Sequence, residues 1–209
     1  RAAGADDVLA RARVVADLPS ALAGCGLVVA TSARDDVPLV RQAELREGAA
    51  HIVDEARRAP PGSGVAVLFG TERHGLSNPQ LAWTNLLLRI PANPEYTSLN
   101  IAMAAQLIGY EIFLARRAAP GATVVPREVG LADAQDMDRL YAHLQEVMDL
   151  VDFRDRTQSG THLMTRIRRL LNRAGIDLNE LNILRGFLTH VQNRRRTAGG
   201  GSGSAGGSR

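Results

Sequence analysis

Residues 65–106 read VAVLFGTERHGLSNPQLAWTNLLLRIPANPEYTSLNIAMAAQ, and this stretch decides the fold. Its two apolar runs, 65–69 and 86–90, each end at a turn rich in glycine, proline or asparagine. Continuous apolar runs of this length are typical of strands that are buried on both faces of a parallel sheet. Because ligands in open α/β sheets bind beyond the carboxyl ends of the strands, the two turns predict a ligand site.

The elements on either side of this stretch agree with such a sheet. A third apolar run, 27–30, lies upstream and predicts a central parallel strand. From 98 to 117 apolar residues recur every three to four positions, which predicts a long amphipathic helix. Alternating strands and helices indicate an α/β domain with a parallel sheet over residues 1–119.

Shorter helices are expected between the strands. One is predicted over 17–23, where Asp17 can cap the first turn, and another within the charged segment 34–58. A short helix is predicted to begin at Ser77, and Trp83 at its end is expected to be a packing anchor.

The last third of the chain has a different composition. Residues 120–132 are rich in proline and glycine and predict an exposed linker. A helical extension is expected over 133–193, built from three helices at 134–151, 162–173 and 178–193. Residues 194–209 are expected to form a flexible tail, because the glycine- and serine-rich end cannot bury apolar surface.

Composition excludes several classes of protein. The single cysteine, Cys25, cannot form a disulfide within the chain or a C-x-x-C pair. The five histidines show no metal-ligand spacing, so we expect no metal site. The longest apolar run is too short to span a membrane and the first residues do not resemble a signal peptide, which predicts a cytoplasmic protein without a membrane partner.

Charge is distributed unevenly along the chain. Residues 1–153 carry 14 arginines against 19 acidic residues, a net charge of −5, whereas residues 154–196 carry 10 arginines against 3 acidic residues, a net charge of +7. On the predicted helix 162–173 one side is apolar and the other is basic, with Arg166, Arg169 and Arg173. This side is a candidate for contacting nucleic-acid phosphates, and the alternative is an ordinary solvated helix face.

The amino-acid sequences of the two turns, GTERHGLSNP and PANPEYTSLN, resemble motifs 2 and 3 of the SpoU branch of knotted RNA ribose 2′-O-methyltransferases, and most closely those of the TrmJ-type tRNA enzymes. The resemblance extends from residue 1 to about residue 192. It implies a SPOUT domain with a deep trefoil knot at its C-terminal end, S-adenosylmethionine (AdoMet) as cofactor, and a homodimer. It also implies methyl transfer to the ribose 2′-hydroxyl of cytidine or uridine 32 in the tRNA anticodon loop.

The resemblance also assigns residues to the site. Eight positions in the three knot loops are expected to bind AdoMet: Thr31, Ser32, Ala33, Gly70, Ile90, Thr97, Ser98 and Leu99. Three positions match the catalytic residues of the family: Glu72, Ser98 and Asn100.

Residue chemistry leaves simpler roles open for these positions. Gly70 could let the backbone approach a ligand or could serve a tight turn, and Ser98 could be only a helix N-cap. Glu72 could pair with a neighbouring arginine, and Asn100 could hydrogen-bond within the loops. His74 and Tyr96 could contact RNA or only pack.

One expected part of the family pattern has no counterpart in the 209 residues. The family places a first strand and a hydroxyl-activating arginine, motif 1, upstream of motif 2, so we expect these residues alone to have little or no activity. Two other functions remain possible: methylation of ribosomal RNA by an enzyme of the same class, and RNA binding without catalysis. The match of the C-terminal helices to TrmJ-type enzymes favours tRNA over ribosomal RNA.

Overall fold

The computed structural model describes residues 4–34, 41–93, 95, 99–118, 125, 127–154 and 163–199. Within these ranges four parallel strands form one sheet in the order β2-β4-β1-β3: β1 Cys25–Thr31, β2 Arg41–Glu44, β3 Gly64–Leu68 and β4 Leu86–Arg89. Eight helices accompany the strands: α1 Asp6–Ala10, α2 Leu18–Ala21, α3 Leu45–Arg58, α4 Asn78–Leu81, α5 Ile101–Ala118, α6 Ala134–Leu150, α7 Leu163–Ala174 and α8 Leu178–Gly199. The α/β fold with a parallel sheet is confirmed, whereas the trefoil knot stays a prediction.

Strand β1 lies at the centre of the sheet, as its apolar run predicts. Its residue Val29 is opposite Val67 on β3 and Leu86 on β4. One face of the sheet packs against α3 and α5, through Ile52 and Ile108 among others. The other face packs against α2, α4 and the start of α6. Burial on both faces explains why the strands appear as unbroken apolar runs.

Strand β2 is absent from the sequence-based expectation. It forms the edge of the sheet beside β4, and among its four residues only Ala43 is buried. An edge strand with polar side chains has no apolar run to reveal it, so its position is decided by pairing with β4.

Local capping interactions set the helix starts. Asp17 accepts a hydrogen bond from the backbone N–H of Ser20 at 2.8 Å, as predicted. The backbone N–H of Ser77 donates to Gln80 Oε1 at 2.8 Å, which fixes the start of α4. Helix α5 begins at Ile101, three residues later than predicted, because the Asn100 side chain accepts from the backbone N–H of the second residue of the helix at 2.9 Å.

The segment after the sheet is less exposed than its composition suggests. Arg127 donates two hydrogen bonds to the buried carboxylate of Glu55, and its backbone N–H donates to the carbonyl of Arg58 at 2.9 Å. These contacts hold residues 127–132, which were predicted as part of an exposed linker, against the end of α3. The last helix was predicted to end at residue 193, whereas α8 continues to Gly199, into the predicted flexible tail.

The helical extension packs against the sheet domain through a polar network that we call the junction: Asn85, Tyr141 and Asn172. Asn172 is 8% exposed, and its Nδ2 donates to the carbonyl of Ala82 at 2.8 Å. The Tyr141 hydroxyl donates to Asn172 Oδ1 at 2.7 Å, and Asn85 Nδ2 donates to the Asn172 carbonyl at 3.0 Å. Burial raises the pKa of Tyr141 above its ordinary value, so the hydroxyl keeps its proton and stays a donor.

Aromatic contacts extend the junction. The guanidinium of Arg168 lies 4.4 Å from the ring centre of Tyr141 and 5.9 Å from that of Trp83, and it pairs with Asp138 at 3.3 Å. Trp83 also packs against the cluster around Leu22, so its predicted role as a packing anchor is confirmed. At the amino end of β1, the backbone N–H of Gly24 donates to Asp133 Oδ2 at 2.9 Å. Among the described helices, none has the length and apolarity needed to cross a bilayer.

Candidate active site

A cavity of about 350 Å³ opens at the carboxyl ends of β1, β3 and β4, where ligands bind in open α/β sheets. Its volume falls within the range of about 300–1,000 Å³ that is usual for small-molecule sites. Two loops contribute most of its wall, residues 31–34 after β1 and residues 69–76 after β3. The remaining lining residues come from the end of β4 and the start of α5: Leu88, Ile90, Leu99, Ile101 and Ala104.

Most of the residues expected to bind a cofactor line this cavity. Six of them do so: Thr31, Ser32, Ala33, Gly70, Ile90 and Leu99. Of the residues expected to be catalytic, Glu72 lies in the wall, whereas Asn100 does not line the cavity and caps α5. Thr97 and Ser98 lie outside the described residues, as does Tyr96.

The loop after β3 is a closed turn. The backbone N–H of Thr71 donates to the carbonyl of Gly75 at 3.2 Å, and the N–H of Gly75 donates back at 2.8 Å. Thr71 Oγ1 accepts from the N–H of His74 at 3.3 Å. These bonds place Glu72, Arg73 and His74 at an exposed tip beside the cavity.

Gly70 is required by the path of the backbone itself. A Cβ at this position would lie 2.1 Å from the carbonyl carbon of Gly75 and 2.4 Å from the nitrogen of Leu76. Both neighbours are backbone atoms, so the clash cannot be relieved by turning a side chain. The tight-turn role left open for Gly70 is therefore sufficient to explain the glycine, whether or not a ligand also approaches it.

The loop after β1 contains a site residue that sequence reasoning missed. Thr31 Oγ1 donates to the carbonyl of Leu68 at 3.0 Å, and Ser32 Oγ accepts from the N–H of Arg34 at 3.0 Å. Arg34 lines the cavity, and its Nη1 donates to Asn78 Oδ1 at 3.1 Å. The only signal in the sequence was its position directly after the three expected cofactor residues.

The lining combines apolar and polar side chains, as sites for small organic molecules commonly do. Apolar side chains form one part of the wall: Phe69, Leu76, Leu88, Ile90 and Ala104. Hydroxyl and ionic side chains from the two loops form another part. Within the described part of the chain, no three histidine, cysteine or acidic side chains cluster as metal ligands would.

The predicted basic side of α7 is largely solvent-accessible. Arg166 and Arg173 are exposed and Arg169 is half-buried, and none of the three forms an ion pair with a described residue. The structure does not bring these arginines into the wall of the cavity. Arg168, on the same helix, points instead into the junction.

Family models match both parts of the chain. Residues 1–110 match the model of the SpoU rRNA methylase family. The chain belongs to the SpoU methylase family. Residues 135–201 match a second model, the C-terminal domain of the tRNA methyltransferase TrmJ, so the helical extension of this SpoU protein is also of a known type.

Individual relatives agree with this assignment and confirm the resemblance seen in the two turns. The SpoU chain is 42% identical over 193 residues to a protein of Yersinia enterocolitica named tRNA (cytidine/uridine-2'-O-)-methyltransferase TrmJ, covering 91% of this chain and 73% of the relative. It is 45% identical over 193 residues to the protein of the same name from Photorhabdus laumondii, covering 91% of this chain and 77% of that relative. The crystal structure of TrmJ from Z. mobilis ZM4 superimposes on this chain with a TM-score of 0.74 at 28% sequence identity, covering 91% of this chain and 78% of that one.

Proposed function

We propose that this protein transfers a methyl group from AdoMet to a ribose 2′-hydroxyl of tRNA. The observation that carries the proposal is the cavity at the carboxyl ends of the strands, whose wall contains residues of both family-like turns. The proposal is supported by relatives at 42% and 45% identity that are named as tRNA 2′-O-methyltransferases.

The residues of the cavity have complementary roles in this reaction. When bound, AdoMet supplies an electrophilic methyl group on a sulfonium centre. The apolar wall around Leu88 and Ile90 would hold the purine ring of AdoMet, and the loops after β1 and β3 would offer polar groups to the rest of the cofactor. Because methyl transfer needs only an aligned and activated oxygen, no metal ligand is required at this site.

We assign catalytic roles to Glu72 and Ser98, and a positioning role to Asn100. Glu72 lies at the exposed tip beside the cavity, where its carboxylate can accept a hydrogen bond from the ribose. Ser98, which is outside the described residues, is assigned to the reaction by its match to the family motif. Asn100 acts by fixing the first turn of α5, between the cavity residues Leu99 and Ile101.

We propose that the substrate nucleotide is cytidine or uridine 32 of the anticodon loop. The names of the relatives support cytidine and uridine, and the match of residues 135–201 to the TrmJ C-terminal domain supports tRNA over ribosomal RNA. Arg166, Arg169 and Arg173 are proposed to contact tRNA phosphates, because their side chains are accessible on a segment with a net charge of +7.

The homodimer also belongs to the proposal. Four large apolar side chains lie on one exposed side of α5, at a spacing of three to four residues and between 39% and 57% exposed: Met103, Leu107, Tyr110 and Phe113. A continuous apolar helix face of this kind is typical of a protein interface. The knot and a cytoplasmic location complete the proposal, and they are supported by membership of the family.

A methyl-transfer assay tests the proposed function. The natural full-length protein is incubated with radiolabelled AdoMet and either unmodified tRNA or ribosomal RNA, and the alkali-resistant nucleotide is mapped. We expect a 2′-O-methyl group on tRNA, and a Glu72→Gln variant with lower turnover but unchanged AdoMet affinity. Glu128→Gln, which changes an exposed glutamate outside the cavity, is the matched control. Base methylation, ribosomal RNA as the substrate, or binding without turnover would contradict the assignment.

A further inference from the structure

The mouth of the cavity concentrates basic side chains that the proposed function has not used. Arg34, Arg73 and His74 all line it, and Glu72 is the only acidic side chain among its described lining residues. The sheet domain as a whole, residues 1–119, has no net charge, with 12 arginines against 12 acidic residues. A basic mouth on a domain without net charge indicates a site for an anionic group.

The two arginines come from different loops, and they differ in what is fixed: the backbone at Arg73 and the side chain of Arg34. Arg73 lies at the tip of the turn that the two backbone hydrogen bonds between Thr71 and Gly75 close. Arg34 is half-buried, and its Nη1 donates to Asn78 Oδ1 at 3.1 Å. A guanidinium held in this way loses little conformational freedom when it binds an anion, and the planar arrangement of its N–H groups matches the oxygens of a phosphate.

The chemistry of the substrate identifies the anion. In RNA the 2′-oxygen and the 3′-phosphate are attached to neighbouring carbons of one ribose. A site that holds the 2′-hydroxyl at the cavity must therefore place that phosphate beside its mouth. The exposed position of Arg73 suits a group that arrives with the RNA rather than one that lies deep in the cavity.

We propose that Arg34 and Arg73 bind the phosphodiester on the 3′ side of the methylated nucleotide, with His74 as an additional contact. This inference rests on the proposed function, because it takes the RNA ribose as the group that reaches the cavity. The carboxylate of AdoMet offers similar anionic oxygens, so the experiment has to distinguish the two sources.

The test measures binding of an anticodon stem-loop RNA to the natural full-length protein. Its target nucleotide is 2′-deoxy, so that it cannot react, and its 3′ linkage is either a phosphodiester or an uncharged methylphosphonate. We expect the uncharged linkage to weaken binding several-fold in the parent and to have a clearly smaller effect in Arg73→Gln and in Arg34→Gln, because each variant lacks one of the two guanidinium groups that bind the phosphate. The variant that carries both substitutions should show the smallest effect. Arg13→Gln, with the same charge change at an exposed residue outside the cavity, should respond like the parent.

The outcomes distinguish the RNA phosphodiester from the AdoMet carboxylate as the ligand of the arginines, and they distinguish failure of this inference from failure of the proposed function. A loss of AdoMet affinity in Arg73→Gln, with the full effect of the uncharged linkage retained, would assign the arginines to the cofactor carboxylate and overturn the proposal. An equal effect of the linkage in all the proteins would also overturn it. Absence of tRNA methylation by the parent would contradict the proposed function instead, and the binding comparison does not depend on turnover.

Discussion

At Gly70 the backbone turns so tightly that an added Cβ would lie 2.1 Å from the carbonyl carbon of Gly75. Sequence reasoning connected this glycine with the approach of a cofactor, and the geometry adds an independent requirement. A substitution here changes the loop that carries Glu72 and Arg73 before it changes any contact with a ligand. Loss of cofactor binding in a Gly70→Val variant would therefore not by itself place Gly70 against the cofactor.

We expect Gly70→Ala to destabilise the protein by about 1–3 kcal/mol, as overpacking against rigid neighbours usually does. AdoMet affinity should fall in the same variant because the loop shifts. Thermal unfolding and calorimetric titration measure the two effects. Gly186→Ala, in α8, is the control, because a Cβ there meets nothing within 4 Å and alanine favours a helix. Unchanged stability and binding in Gly70→Ala would show that the loop accepts a Cβ.

At the scale of elements, α7 is joined to the sheet domain by the junction rather than by apolar contact alone. Asn172 is buried, and its side-chain nitrogen, side-chain oxygen and backbone carbonyl are all hydrogen-bonded. Its partners Ala82 and Asn85 lie at the turn between α4 and β4, next to the sheet. The junction therefore fixes α7, and with it the basic helix side, relative to the domain that contains the cavity.

Asn172→Ala should lower the free energy of unfolding by a few kcal/mol, because the carbonyl of Ala82 loses its partner and each unsatisfied buried group costs about 1–3 kcal/mol. The Tyr141 hydroxyl loses its 2.7 Å bond to Asn172 and keeps only the longer one, 3.4 Å, to the carbonyl of Arg168. Denaturant titration gives the value. Asn182→Ala, at an exposed position of α8, serves as the control and should have little effect on stability. If the two variants were equally stable, the junction would contribute nothing measurable to the fold.

At the scale of the whole molecule, the uneven charge suggests how RNA is bound. The sheet domain, residues 1–119, carries 12 arginines against 12 acidic residues and has no net charge, whereas the segment 154–196 has a net charge of +7. Replacing Arg166, Arg169 and Arg173 together by glutamine should weaken tRNA binding and reduce its salt dependence by about one unit of slope for each phosphate that no longer pairs with an arginine. Binding isotherms over a range of salt concentrations provide the slopes.

The control for this prediction removes the same charge elsewhere. Arg11, Arg13 and Arg58 are exposed residues of the sheet domain, and replacing all three by glutamine should leave the salt slope nearly unchanged. Equal slopes for the parent and the α7 variant would identify the basic side as an ordinary solvated helix face.

If the exposed apolar side of α5 is the dimer interface, a charge placed on it should separate the two subunits. Phe113→Glu places a charge in the proposed interface and should convert a dimer to a monomer, which sedimentation equilibrium would detect. Phe187→Glu is the matched control, because Phe187 is 65% exposed on α8 and Phe113 is 51% exposed. A monomeric parent, or dissociation by both substitutions alike, would contradict a dimer through α5.

The sequence by itself determined the strands β1, β3 and β4, the long helices and the end of the sheet at which the cavity opens. Each of these depends on a pattern within one segment: an unbroken apolar run for a doubly buried strand, a three-to-four-residue repeat for a helix, and glycine or proline at a turn. The resemblance to the family added seven of the residues that line the cavity: Thr31, Ser32, Ala33, Gly70, Glu72, Ile90 and Leu99.

Only the tertiary structure decided the edge strand β2, the arginine at the cavity wall and the packing of the helical extension. Three hydrogen bonds join residues that are far apart in the sequence: Arg34 and Asn78 are separated by 44 positions, Glu55 and Arg127 by 72, and Asn172 and Ala82 by 90. No local pattern records such contacts, because the hydrogen-bond partner of a buried polar group is supplied by whichever distant segment the fold brings beside it.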